Sequence, residues 1–249
     1  MLSIGIGDGP ATMHQALELA RSYAHRPNTP QIWVSAGIHP QEAALADQAT
    51  LDKLASLLAE PEVIACGEIG LDYHHDENPP REVQQRAFCE QMEIAATRPL
   101  PILIHCRPGT AAGPGADAWA DTLAMLEQHW QPTGLGGVLH CFSGEPQHVR
   151  RALDLGFLIS FAGNLTYPSA APLREIARTL PLTSLLVETD GPFLAPVPDR
   201  GKRNEPAFVT RTAAQLATLH GITADELAAK TSENFARLFH GAEVPADRT

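Results

Sequence analysis

The sequence predicts an α/β fold of the TIM type, a (β/α) barrel, on three observations. Apolar strand-like runs alternate with amphipathic helical runs along the chain. The strand-like runs are almost continuously apolar, which suits parallel strands covered by helices on the outside. Polar residues recur where these strands run out, at His39, Glu68, His105, His140, Asn164 and Asp190. A barrel gathers such positions at one mouth. An open doubly wound sheet is the competing arrangement, but no GxGxxG or GxxxxGK[ST] follows the first strand. Length alone makes one α/β barrel as likely as two smaller domains at 249 residues; with the barrel preferred, residues 1–249 are read as one domain.

Taken in order, residues 2–6 form the first strand, followed by a helix whose core face is Ala16, Leu17, Leu19 and Ala20. Residues 32–36 form the second strand and end in Gly37-Ile38-His39-Pro40. Leu51, Leu54, Leu57 and Leu58 mark the next helix. A strand over 63–66 leads to Gly67, expected to let the backbone turn before Glu68. A long helix through Phe88, Met92 and Ile94 precedes a strand at 102–104. After a Gly/Pro/Ala-rich break at 108–116, a helix bearing Leu123 and Leu126 leads to the strand at 138–139. Helices near 149–155 and 173–177 flank a strand at 157–161, a strand follows at 184–187, and two helices close the chain through 216–219 and 227–238.

A net charge of −11 argues against a broad nucleic-acid surface, which needs many phosphate contacts from a basic face, and leaves room only for a local basic patch. No apolar run is long enough to span a membrane, and the N-terminus lacks a signal-peptide pattern. Cys66, Cys89, Cys106 and Cys141 form no CxxC pair, which suits free thiols in a reducing compartment. The expectation is a cytosolic protein without disulfide, structural zinc or obligate protein partner.

An unpaired carboxylate is costly to bury, so Glu68 should face water or meet a cation. Alone it reads as a turn-edge residue, and a lone histidine as a satisfied strand end. Two imidazoles, His105 and His140, and two carboxylates, Glu68 and Asp190, at equivalent positions point instead to a divalent ion with mixed nitrogen and oxygen ligands. Such an ion can lower the pKa of water, so the chemistry expected is metal-assisted hydrolysis. His14, His25, His129, His148, His220 and His240 fall on helices or loops and read as surface residues.

Six motifs then occur in order: GIHP (37–40), GEIGLDYHHD (67–76) with PREVQ after it, IHCR (104–107), HCFSG (140–144), ETDGPFLAP (188–196) and RGKRNEP (200–206). Together they resemble the TatD-type metal-dependent deoxyribonucleases of the amidohydrolase-like barrels. The resemblance implies phosphodiester hydrolysis of DNA or a related nucleic acid, exonuclease-like, with one or two divalent ions (Zn, Mn or Mg). It makes Glu68 the carboxylate shared by two metals and His105 and His140 ligands of one. Asp190 is then ligand of the other and base for the attacking water. Arg200, Lys202 and Arg203 would hold substrate phosphate by charge-assisted hydrogen bonds, with a solvated surface loop as the alternative. His39 would bind phosphate or orient a ligand.

The family's first strand, ending in His-x-His, has no counterpart in this sequence. The seven strands are therefore expected to be the family's second to eighth, with an unclosed barrel, an Asp190 side short of ligands, and the missing strand encoded upstream. Two other functions stay open: an amidohydrolase-like enzyme acting on small esters or amides, and a non-catalytic barrel that has lost one metal site.

Overall fold

The structure is a computed structural model that describes residues 14–24, 26–27, 29–110 and 117–239, with the backbone of residues 2–4. Gly5 and Ile6 of the first expected strand, His25, His240 and residues 111–116 of the Gly/Pro/Ala-rich break lie outside the described residues. The chain falls into two compact units, Met1–Val138 with Phe239–Thr249, and Leu139–Leu238.

The first unit contains β1 (Leu2–Ile4), α1 (Gln15–Tyr23), β2 (Ile32–Ala36), α2 (Gln48–Leu57), β3 (Val63–Asp72), α3 (Arg81–Thr97), β4 (Ile102–Arg107) and α4 (Ala118–Met125). β5 (Gly137–Leu139) lies at the unit boundary. β1 to β4 pair in chain order and all in parallel, Leu2 opposite Ile32, Val34 opposite Val63, and Ile104 opposite Ile69. Parallel neighbours need a crossover, and each intervening helix supplies one. In α1 the buried positions are Ala16, Leu17 and Ala20. Leu19 was expected beside them but is 43% exposed, because it falls outside the stripe that those three positions define.

The helix α3 does most to position the strand ends. Its buried face repeats as Gln84, Ala87, Phe88, Gln91, Met92 and Ala95, the spacing of one helical stripe. Burial of Phe88 alone stabilises by roughly 2–3 kcal/mol. The two glutamines on this apolar stripe are there to satisfy loop backbone. Gln91 accepts from the Ile38 N–H (2.6 Å) and donates to the Ile38 carbonyl (3.1 Å). Gln84 accepts from the Asp72 N–H (2.8 Å) and donates to the Asp72 carbonyl (2.9 Å). One helix face thus ties down the exits of β2 and β3.

β3 is longer than expected: it continues through Glu68 to Asp72, so Glu68 lies inside the strand rather than at its end. The ladder with β4 slips between Cys66 and Ile69, and that irregularity brackets Gly67 and Glu68. Gly67 is required by close approach, not by a turn, since a Cβ there would lie 2.6 Å from Leu103 Cβ. β4 likewise runs on to Arg107 and includes His105.

The second unit contains α5 (Pro146–Asp154), β6 (Phe157–Phe161), α6 (Ala171–Thr179), β7 (Leu185–Val187), α7 (Val209–His220) and α8 (Ala224–Leu238). β6 is buried throughout and pairs in parallel with β7, Ile159 opposite Leu185 and Phe161 opposite Val187. Thr223 and Glu226 cap the start of α8 reciprocally, Glu226 accepting from Thr223 N–H (2.8 Å) and donating its own N–H to Thr223 Oγ1 (3.2 Å). Asn234 then anchors α8 by donating to the carbonyls of Leu182 (2.7 Å) and Leu185 (2.9 Å).

Candidate metal centre

In the first unit three expected site residues come together. His39 follows β2 and caps the 3-10 turn Pro40–Leu45, its Nδ1 accepting from the Gln41 N–H at 3.3 Å. Its Nε2 thereby faces Glu68, 3.9 Å from Oε1. The same Oε1 accepts from His105 Nδ1 at 2.8 Å, and the rings of His39 and His105 meet edge to face, 4.5 Å apart. One ligand atom from each of His39, Glu68 and His105 lies within 4.8 Å of the others. Two imidazole nitrogens and a carboxylate oxygen fit a borderline divalent ion by donor type. The Gly67–Glu68 peptide in this segment is cis.

A fourth residue, Asp72 of the GEIGLDYHHD motif, joins them without having been expected as a site residue. Its side chain is fully buried, with Oδ2 3.4 Å from His105 Nε2 and 3.0 Å from the Gln41 amide nitrogen that donates to it. Oδ1 accepts from the His74 N–H at 2.9 Å. Burial by itself would raise the Asp72 carboxyl, but His105, the His74 N–H and Gln41 outweigh it and hold the group well below the carboxylate range. Burial alone would lower His105, yet Asp72 and Glu68 push it up to about 9. The available signal was strand period: Glu68 and Asp72 are four apart on β3, hence on one face. Between them Gly70 admits no side chain, since a Cβ would sit 2.1 Å from the His105 carbonyl oxygen.

The second unit brings together the other two expected ligands. His140 directly follows β5, and its Nε2 lies 3.4 Å from Asp190 Oδ1. His140 Nδ1 contacts Glu188 Oε2, while Glu188 Oε1 accepts from the Cys141 N–H at 2.6 Å. Burial would raise the Glu188 carboxyl, but the adjacent His140 and the Cys141 N–H keep it below the usual glutamate range. Glu188, two residues before Asp190, is the other residue here that the sequence did not single out.

The loop after Asp190 is locked by Asn204, which is 3% exposed. Its amide donates to the carbonyls of Thr189 and Phe193, both at 2.6 Å, and its own N–H reaches the Pro192 carbonyl at 2.9 Å. The expected phosphate-holding trio lies on this loop. Arg200 sits over the Tyr167 ring at 4.5 Å, Lys202 pairs with Asp199 at 2.9 Å, and Arg203 is exposed. Asp199 is itself fixed by contact with Arg211. Of the histidines read as surface residues, His129 is exposed and His14 is half-buried, whereas His148 caps α5 and His220 reaches the Ala177 carbonyl at 3.0 Å. The four cysteines are free thiols, Cys66 and Cys106 buried and Cys89 and Cys141 half-buried.

Residues 3–240 match the family described as TatD related DNase. The chain belongs to this family. It is 45% identical over 207 residues to the uncharacterized metal-dependent hydrolase YcfH of Escherichia coli K12, covering 83% of this chain and 73% of that one. It is 36% identical over 230 residues to the 3'-5' ssDNA/RNA exonuclease TatD of Salmonella typhimurium, covering 90% of this chain and 82% of that one. Among solved structures it resembles YJJV, a TatD homologue from Escherichia coli K12, with a TM-score of 0.83 and 31% identity, over 98% of this chain and 86% of that one. The fold class is therefore α/β of the TIM-barrel type, as the alternation of strands and helices predicted. The TatD family is one of metal-dependent hydrolases, and His39, Glu68 and His105 are a set that can hold a metal. No described helix is long and apolar enough to cross a membrane.

Proposed function

We propose that this protein hydrolyses phosphodiester bonds at the ends of single-stranded DNA or a related nucleic acid, with Glu68, His105, His140 and Asp190 as metal ligands. The observation that carries the reading is the convergence of His39, Glu68 and His105 within 4.8 Å, backed by buried Asp72. The exonuclease name of the Salmonella typhimurium relative supports the substrate class. A match spanning residues 3–240 supports reading the chain as one hydrolase domain, and four free cysteines suit a cytosolic setting. A divalent ion, zinc or manganese by donor type, supplies positive charge for the phosphate and acidifies water.

The chain's own residues do the rest. Asp72 fixes the orientation of His105 from behind, as a carboxylate that does not itself meet substrate. Glu188, held by the Cys141 N–H, does the same for His140. Asp190 takes the proton of the attacking water, and His140, 3.4 Å away, steadies the carboxylate. Arg200, Lys202 and Arg203 offer exposed cations to phosphate on the loop that Asn204 holds in place. The 3.9 Å between His39 Nε2 and Glu68 Oε1 supports reading His39 as a metal ligand or a phosphate contact.

The test loads the protein with Zn²⁺ or Mn²⁺ and offers 3'- and 5'-labelled single-stranded oligonucleotides beside a panel of small esters and amides. Stepwise loss from the 3' end is expected, with little turnover of the small substrates. Glu68→Gln keeps the shape and loses the charge, so it should reduce bound metal and lower kcat by at least about a hundredfold, in a protein that still unfolds cooperatively. Wild-type metal content and activity in a folded Glu68→Gln protein would refute the assignment. Turnover of small esters alone would transfer the reading to the amidohydrolase alternative.

A further inference from the structure

Phe193 is 68% exposed, and it is the one aromatic among the exposed large hydrophobic residues described. Leaving a phenylalanine side chain in water forgoes a substantial part of its burial energy, and the backbone that carries this one is held in place. Its N–H donates to the Asp190 carbonyl at 2.8 Å, and its own carbonyl accepts from the Asn204 amide at 2.6 Å. Asp190 and Leu194, on either side, both hold left-handed backbone, with φ of 55° and 52°. The ring is thus presented by a fixed backbone three residues beyond Asp190, within about 11 Å of chain. Arg200 and Arg203, both exposed, follow on the same loop.

An exposed aromatic on a held backbone, accompanied by cations, is an arrangement that binds single-stranded nucleic acid, the ring stacking on a base and the cations tracking phosphates. We propose that Phe193 is the stacking platform for a nucleobase of the substrate strand, setting which phosphate is presented beside Asp190. The proposal rests on the phosphodiesterase reading above and adds a positioning residue to it. It also implies a preference for single strands over duplex, because a base already stacked in a duplex has no open face to offer. No base preference is expected, since every base has a π-face.

The test compares wild-type protein with Phe193→Ala, Phe193→Leu and Phe193→Trp, all metal-loaded. Two labelled strands are used, one of ordinary sequence and one with abasic sites over its last nucleotides. Binding is read by fluorescence anisotropy in parallel with cleavage. On the ordinary strand, Ala and Leu should raise KM and Kd at least about fivefold with kcat within about twofold, and Trp should restore both. On the abasic strand the four proteins should behave alike. Unchanged binding in Phe193→Ala, rescue by Leu as complete as by Trp, or an equal loss on the abasic strand would each overturn the proposal. If the wild-type protein cleaves neither strand, the function proposed above fails, and anisotropy still decides whether Phe193 stacks on bases.

Discussion

Asp72 has no exposed side-chain surface and still carries a charge, because the His74 N–H, the Gln41 amide and His105 all point at it. Removing that charge while keeping the shape tests whether it positions His105. Asp72→Asn should leave metal stoichiometry unchanged and weaken affinity by about ten- to a hundredfold, as loss of an orienting partner does, in a metal titration. An unchanged affinity would reduce Asp72 to a purely structural role. Glu68, His105, His140 and Asp190 were legible as ligand candidates because each polar side chain broke or followed an apolar run. Asp72 and Glu188 were not, for a physical reason. Whether a carboxylate near a strand end faces a histidine or caps a loop depends on where the strand stops, and β3 continues six residues past the Cys66 expected to end it. His39 was legible as a candidate; that its Nε2 lies 3.9 Å from Glu68 is set by the Gln41 N–H, a local turn with little signature in composition.

At the scale of elements, β3 and β4 are held so close that side-chain volume at one position decides their spacing. Gly70→Ala adds a methyl 2.1 Å from the His105 carbonyl at a φ of 134°. Loss of at least about 2 kcal/mol is expected in urea unfolding, with His105 displaced from Glu68 and metal affinity falling in step. The start of α2 gives a pH test remote from the candidate site. Asp47 accepts from the Thr50 N–H at 2.8 Å, and this hydrogen bonding holds its carboxyl below the ordinary value. Its folded value is depressed, so its contribution is present above the unfolded aspartate pKa of about 3.9 and is lost as pH falls through the lower folded value. Asp47→Ala should therefore lower Tm at pH 7, with the gap to wild type closing in strong acid. A gap independent of pH would show that capping charge plays no part. The helices themselves were legible from their periodic apolar positions, though not their starts, α7 beginning at Val209 and not near 216, whereas the short 3-10 turns, such as Pro40–Leu45, carried too few apolar positions to show a period.

For the molecule as a whole, a net charge of −11 sets how it can meet a polyanion. Attraction is confined to a few cations, so substrate binding should depend weakly on salt. With Arg200, Lys202 and Arg203 each meeting one phosphate, the slope of log Kd against log salt should be about 2 at most. Lys202→Ala with Arg203→Ala should lower it, and a slope above about 4 would point to a wider basic surface. Alternating strands and helices made the fold class legible from end to end, because parallel strands buried on both faces leave a dense apolar signature. What the chain does with its polar residues was legible only where they interrupt that signature.

Asn204 joins two carbonyls, those of Thr189 and Phe193, with one amide group. The pairing makes the loop sensitive to a form of chemical ageing. Deamidation replaces an NH₂ group by an oxygen, turning two donated hydrogen bonds into two oxygen–oxygen repulsions within a site that is 3% exposed. A single spontaneous hydrolysis at this amide would release Phe193 and the Arg200 segment together while leaving every other residue intact. The structure also slows that loss, since the residue that follows is Glu205 rather than a glycine, and burial restricts water. The loop is thus vulnerable at one amide that its own sequence and burial protect.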